Sequence, residues 1–374
     1  MKTTVYLVRH CESEGNCCRR SHAHFDGIVT SKGLRQADAL AARFADENVT
    51  AIYSSDAYRS RMTAAPLAKA KNLPVQYRLL LREYTIGTWE GFSIGRTGRQ
   101  FPDLYPTWTS TPWAHNIPGA DNFSIVAERG YVIIQRMAKE NPGGTVVAIT
   151  HSCTVTCTLT KLLGQPISYY SSIKSGDNTA VTKLEVDEDG NIEVIYINDD
   201  SHLPKELLRQ NYTGRGPETN FDFEYLTFPQ DEERYAAIRA DLLAQFPNYC
   251  PNCIDGNVKA SLEQNGLFAF FPVLMDRVCG LVTVKRDASL PADHGMLTGM
   301  FVADDLRDRG YTEQAAGEAI DVLRRAGCRY MVVEKSEDPH IKQLLNRFIF
   351  ESVPGSDKLM RMAITVPGIE GPIY

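Results

Sequence analysis

Three short apolar runs in the first half of the chain each end in residues suited to handling an anion. Val5-Tyr6-Leu7-Val8 runs into Arg9 and His10. Val49 to Tyr53 runs into Ser54-Ser55, with Arg59 close behind. Thr145 to Thr150 runs into His151 and Ser152. Runs this short, rich in β-branched and aromatic residues, read as buried strands. If they lie parallel, their carboxyl ends share one edge, which is where open α/β sheets bind ligands. Two arginines and two histidines meeting there form an electropositive hole. Arginine's planar fork matches phosphate oxygens. A neutral imidazole can attack phosphorus and carry the phosphoryl group, while the other cations stabilise the equatorial oxygens. The leaving oxygen then needs a proton, and Glu83 is the best acid at hand, beside Gly87 and Trp89 rather than in a helical repeat. His10 alone would read as a strand-end histidine bonded to a carbonyl; the other strand-end groups turn it into a nucleophile. A metal-dependent phosphatase would need carboxylates clustered at a strand end, and none follows these runs.

The elements that must position these groups follow in order. Cys11 to Asn16 reads as a polar loop and Phe25-Asp26-Gly27 as a turn. Thr30 to Gly33 opens a helical pattern through Leu34, Ala37, Leu40, Ala41 and Phe44. Asp56 and Arg61 read as residues that cap and solvate the next helix, whose formers run from Ala64 to Ala70. Strand, helix, strand, helix implies a parallel sheet. The segment 95–122 is rich in Gly, Pro, Trp and Thr and is too long for a plain connector. It is expected to be an irregular functional cover that sets the substrate, with Tyr105, Trp108 and Trp113 as its cover residues. Phe123 to Met137 and Val155 to Leu163 are helical, and Thr179–Val186 pairs with Ile192–Ile197 as a hairpin across Glu188-Asp189-Gly190. His22, His24 and His115 are polar-loop histidines given no role.

These motifs resemble the histidine phosphatase superfamily, which includes the cofactor-dependent phosphoglycerate mutases. The likeness lies in LVRHCESEGN at 7–16, Thr30, Gly33, Gln36-Ala37, YSSDAYRSRMTA at 53–64, LREYTIGTWEG at 81–91, THS at 150–152 and IYINDDSHL at 195–203. It spans residues 1–205 and implies a three-layer α/β/α, phosphoglycerate mutase-like fold. It implies that His10 is the nucleophile, that Arg9, Arg59 and His151 hold the phosphoryl group, and that Glu83 is the acid/base. Asn16 and Ser152 are implied as secondary phosphate contacts or as cap and turn residues. The expected substrate is a small-molecule phosphate ester, with neither a metal nor another cofactor. Phosphatase chemistry is preferred over mutase, and a non-catalytic sensor of a phosphorylated ligand is the different-class alternative. Cys11 stands where the family often has glycine, and Asp121 in IPGADNF where many members carry a Gly-Glu-Ser type run.

The length of 374 residues implies two domains, with a polar linker at 206–219. The second half, 220–374, carries Arg307-Asp308-Arg309-Gly310-Tyr311-Thr312 between a strand and a helix. Backbone N–H groups at such a junction form an anion site. This turn, within 220–365, resembles the pyrophosphate-binding motif of the GNAT acyl-CoA N-acyltransferases. The resemblance implies an α+β fold with acetyl-CoA held at Arg307, Arg309, Gly310 and Thr312, and acyl transfer to an amine. Asn346 falls where the family often has a thiolate-protonating tyrosine, and Glu334 is a weak base candidate. A degenerate domain that recognises a ligand or mediates dimerisation is the other reading.

Bulk properties narrow the partners. Net charge is −6 at 43% hydrophobic and 23% charged residues, which disfavours non-specific nucleic-acid binding. No apolar run approaches the roughly 18 residues that span a bilayer. The N-terminus enters a strand without a signal-peptide core. Nine scattered cysteines read as reduced thiols, so the expected location is cytoplasmic. Cys250 and Cys253 in CPNC lack a second ligand pair and read as a loop, and Cys17-Cys18 as loop packing. The sequence sets no oligomeric state.

Overall fold

A computed structural model describes residues 1–208, 221–225, 233, 236, 237, 240, 268–275, 277–306 and 309–366. The first sheet is built on β1 (Thr3–Arg9) and β4 (Thr145–Thr150), with β2 (Ala51–Ser54), β3 (Val75–Tyr77), β5 (Val181–Val186) and β6 (Ile192–Asp199). Its order is β3-β2-β4-β1-β5-β6. The first four strands are parallel, with Arg9 opposite Thr150 and Ser54 opposite Ile149. The carboxyl ends of β1, β2 and β4 therefore share an edge. β5 and β6 run antiparallel as the expected hairpin.

Alternation along β1 sets the layers. Tyr6 and Val8 face α2 (Ser31–Arg43) and α3 (Tyr58–Lys71), packing on Leu40, Phe44, Ala64 and Leu67. Val5 and Leu7 face α6 (Phe123–Glu140) and α7 (Ser152–Leu162), packing on Ile133, Ile134, Met137 and Leu159. The result is a three-layer α/β/α arrangement. Thr30 caps α2 by accepting the Gly33 N–H at 3.0 Å.

Four local expectations change. The polar loop at 11–16 contains a one-turn helix, α1 (Glu14–Cys17). α3 begins at Tyr58 rather than Ala64, so Arg59 lies in its first turn. Asp56 does not cap α3; it pairs with Arg82, and Asp26 instead accepts the Tyr58 N–H from across the fold. The segment 95–122 is not irregular: it holds α4 (Ile94–Gln100), α5 (Tyr105–Ser110) and a 3-10 turn at Pro112–Ala114. Its order comes from docking, because Phe101, Tyr105 and Trp108 close over Trp89, which is fully buried. Truncating such a core indole costs about 3–5 kcal/mol.

The second sheet is α+β. Its described strands are β7 (Phe221–Tyr225), β8 (Phe268–Leu274), β9 (Arg277–Val278), β10 (Gly280–Lys285), β11 (His294–Val302), β12 (Tyr330–Glu334), β13 (Glu351–Ser352) and β14 (Leu359–Ala363). The order is β13-β14-β12-β11-β10-β8-β7, with β9 paired to β8. Only β11 and β12 run parallel among the described pairs, in register from His294–Tyr330 to Leu297–Val333. β11 continues to Val302 beyond that pairing, whereas β12 ends at Glu334. α8 (Tyr311–Arg325) joins β11 to β12, and α9 (Pro339–Arg347) follows β12. Most of the expected linker, Arg307 and the Cys250–Cys253 pair lie outside the described residues. Among those residues no helix is long and apolar enough to cross a membrane.

Candidate active site

Arg9 and His10 end β1, Arg59 enters from the start of α3, and His151 ends β4. All four are buried: His10 is 3% exposed, and Arg59 and His151 are 0%. The His10 and His151 rings lie 5.2 Å apart. The strand ends thus converge on the predicted edge.

Hydrogen bonds fix the state of each imidazole. His10 Nδ1 lies 2.7 Å from the Cys11 carbonyl, an acceptor, so Nδ1 carries the proton and Nε2 keeps its lone pair. Burial, then the Arg59 and Arg9 cations, hold His10 well below the usual histidine range, so it is neutral. His151 Nδ1 accepts from Arg59 Nη2 at 3.1 Å, and its Nε2 donates to Ser55 Oγ at 2.9 Å. Burial and Arg59 hold His151 neutral as well.

Arg59 also donates to the Ala23 and Phe25 carbonyls at 2.8 and 3.2 Å and to Asp26 Oδ1 at 3.2 Å. Desolvating such a pair costs several kcal/mol per ion, so it is a poor device for stability alone. A site that needs a fixed cation explains it better. Arg9 Nη1 donates to the Gly176 carbonyl at 2.7 Å.

Glu83 sits at the N-terminus of α7, directly after His151. Its carboxylate accepts from the Cys153 and Thr154 N–H groups at 3.0 and 2.9 Å and from Thr154 Oγ1 at 3.0 Å. A helix start offers such orphan donors to a carboxylate. Arg82, its sequence neighbour, pairs with Asp56 instead. The Glu83 carboxylate is therefore held by the helix that His151 opens. Asp121 accepts the Thr85 N–H at 3.0 Å and braces the Glu83 loop.

Asn16 and Ser152 differ. Asn16 lies at the pocket: its Nδ2 donates to His22 Nε2 at 3.3 Å, and its Oδ1 accepts from Asn178 at 3.3 Å and from the Ser13 N–H at 3.1 Å. Ser152 turns its hydroxyl to Ser175 Oγ at 2.9 Å. Ser175 and Gly176 also line a cavity of about 460 Å³, with Lys174 and Asp200 on its wall.

Several residues at the site carried no signal in the chain. His22 faces His10 with ring centroids 5.9 Å apart. Burial and Arg59 pull it down to about 3. Asn178 Nδ2 donates to the His10 carbonyl at 2.8 Å. Glu90 accepts the N–H groups of Ala23, His24, Phe25 and Ile86, so it fixes the loop that holds Arg59. Only the TWEG context of Glu90 and the turn at Asp26 could have drawn notice. Cys11, where glycine is common, is fully buried, its N–H donates to Thr63 Oγ1 at 2.8 Å, and burial pushes its thiol up to about 12.

In the second half, Gly310 is left-handed at φ 83° and precedes α8, a conformation that favours glycine. Arg309 lies over the Tyr311 ring at 5.7 Å. Thr312 is buried, with Oγ1 3.4 Å from His340 Nδ1. Asn346 and Glu334 are exposed, and the Asn346 carbonyl accepts from Ser31 Oγ at 2.7 Å.

Comparison with known proteins agrees with this division. Residues 231–343 match the acetyltransferase (GNAT) family, and residues 5–200 match the histidine phosphatase superfamily (branch 1). The chain is 28% identical over 199 residues to phosphoserine phosphatase 1 of Hydrogenobacter thermophilus, covering 53% of this chain and 93% of that one. It is 30% identical over 152 residues to a metal-independent phosphoserine phosphatase of Arabidopsis thaliana, covering 40% and 64%. The solved structure of Bacillus stearothermophilus YhfR superposes with a TM-score of 0.52 at 28% identity, over 54% of this chain and 98% of that one. With two histidines and two arginines converging at the ends of parallel strands, and a match over more than half its length, the chain belongs to the histidine phosphatase superfamily.

Proposed function

We propose that the first half hydrolyses a small phosphomonoester through a phosphohistidine at His10. The observation that carries this is the tautomer: the Cys11 carbonyl holds Nδ1–H, which leaves Nε2 as a neutral nucleophile among buried cations. His10 Nε2 attacks phosphorus as the ester P–O bond breaks. The Arg9 and Arg59 cations balance charge on the transferred oxygens, with neutral His151 holding Arg59 in place as part of the clamp and Asn16 and Ser152 as outer contacts. Arg59 exchanges carbonyl acceptors for phosphoryl oxygens as the ester enters. Glu83 gives its proton to the leaving oxygen, then takes one from the water that releases phosphate from His10. Relatives named phosphoserine phosphatases support phosphoserine as the first substrate to try, and one named metal-independent supports chemistry without a metal. Seven free, buried cysteines among the described residues support a reducing, cytoplasmic setting.

Phosphate release from phosphoserine and p-nitrophenyl phosphate in the presence of EDTA tests this. His10→Ala is expected to lose at least about 10³-fold in kcat. A wild-type chain inactive in EDTA would sink the reading, and phosphoryl transfer without phosphate release would turn it to a mutase.

We further propose that the second half binds acetyl-CoA at Arg307, Arg309, Gly310 and Thr312 and acylates an amine. The family match over 231–343 and the left-handed Gly310 before α8 support it. α9 carries no tyrosine, so transfer rests on the family match more than on the site. Saturating acetyl-CoA should raise the melting temperature by several degrees, about 2.7 kcal/mol at 100 times Kd. Gly310→Asp should abolish the shift. No shift in the wild-type chain removes the acyl-CoA reading.

A further inference from the structure

The loop between β1 and α2, residues 10–30, carries Asn16, His22 and the carbonyls that hold Arg59. It is built on the second half of the chain. Glu12 meets Arg347 at 3.1 Å, Glu14 meets Arg324 at 2.8 Å, and Arg20 pairs with Glu318. These groups are deeply buried: Arg20 and Glu318 are each 3% exposed, and Glu14 is 0%. Asp321 stands 3.6 Å from Arg20 as a second counter-charge. The fit of the backbones is equally close. A Cβ on Gly317 of α8 would sit 2.5 Å from the Cys18 Cβ.

Two short routes run from α8 to the reacting groups. Glu318 holds Arg20, whose carbonyl accepts from His22 Nδ1 at 2.9 Å, and His22 Nε2 accepts from Asn16 at 3.3 Å. Arg324 lies over the Phe25 ring at 5.3 Å, and the Phe25 carbonyl accepts from Arg59. The Hydrogenobacter thermophilus relative, 93% covered by 199 residues here, has no room for a second half of this size. Family membership alone therefore does not supply this support.

We propose that Glu318 and Arg324 are positioning residues for phosphoryl transfer at His10, so that the second half completes the phosphatase site; this rests on the phosphatase reading above. Loosening the loop lets Asn16, His22 and Arg59 drift from the phosphoryl group. Displacements near 1 Å remote from the chemistry can cost up to about 10²-fold in rate.

The test uses the full chain with E318A, E318Q, R324A and R324K. It reads kcat and KM for p-nitrophenyl phosphate, the dissociation constant of orthovanadate by calorimetry, and the melting temperature. E318A and R324A should weaken vanadate and lower kcat/KM about tenfold while still folded at the assay temperature. R324K, which keeps the charge, should recover most of the loss. If E318A does not fold, E318Q removes the charge and keeps the shape. Folded variants within twofold of wild type in both readouts, or more active than it, overturn the proposal. A wild-type chain that binds vanadate without turnover removes only the phosphatase reading, and the vanadate series still decides the positioning role. A wild-type chain that does neither removes both.

Discussion

The two halves prepare for an anion in opposite ways. The first gathers side chains from strand ends, a helix start and two loops, and it buries their charges against one another. The second offers one backbone turn, at Gly310, with the arginine described there stacked on an aromatic ring. A convergent set of side chains can specify a reaction, since it offers distinct places for a nucleophile, a clamp and an acid. A backbone turn specifies a ligand class, because any anion with the right reach can use it. This is why the geometry supports a stepwise mechanism in the first half and no more than a binding assignment in the second.

The comparison is most exposed at Glu83. Glu83→Gln should lower kcat on phosphoserine by about 10²–10⁴-fold. The loss should be much smaller on p-nitrophenyl phosphate, whose leaving oxygen needs little help from an acid. Equal losses on both would mean that Glu83 serves only to cap α7 and that the first half lacks its acid.

Acid titration is the next probe, because three buried histidines that burial and Arg59 keep neutral cluster at the first site. Burial and Arg59 hold His10 and His151 well below the usual range and His22 at about 3. The unfolded chain takes up protons on them from about pH 6.5 downward, and the folded chain does so only at much lower pH. Stability should therefore be full above pH 6.5 and fall through the window towards 3. Three protons give a slope of up to about 4 kcal/mol per pH unit. His22→Gln should remove about 1.4 kcal/mol per unit of that slope in denaturant titrations between pH 6.5 and 5. An unchanged slope would place His22 outside the buried cluster.

The smallest effect concerns the turn. Gly310→Ala should cost about 1–2 kcal/mol in urea unfolding, because a Cβ is strained at φ 83°. A neutral substitution would mean that the turn takes another shape and would narrow the contrast between the halves.

What the sequence made legible follows from the range of the forces involved. The three parallel strands were readable because each is a local apolar run, and their polar ends lie on the same edge once the order β2-β4-β1 is set. The start of α3 was obscured because Tyr58 to Thr63 is polar or aromatic apart from Met62, and its capping carboxylate, Asp26, lies 32 residues away. α4 and α5 were hidden by Gly95, Gly98 and Pro106, which lower local helix preference; packing on Trp89 overrides that. Arg9, His10, Arg59, Glu83 and His151 stand in legible motifs, but His22 and Asn178 do not, and neither do the tautomers and caps, since these depend on contacts such as Glu83 with Thr154, 71 residues apart. The ion pairs between the halves join residues about 300 apart, such as Arg20 and Glu318, and no local pattern announces them.

One consequence lies in how the molecule comes apart. Cys17, Cys18 and Ile28 from the first half share a single hydrophobic cluster with Phe221, Tyr311, Ala315 and Ile320 from the second. Heating cannot expose that cluster on one side alone, so melting either sheet strips apolar cover from the other. The chain should show one cooperative heat-absorption peak rather than two separable ones. Excising residues 1–205 would then yield not a smaller enzyme but a fragment with an open apolar face, prone to associate with its own kind.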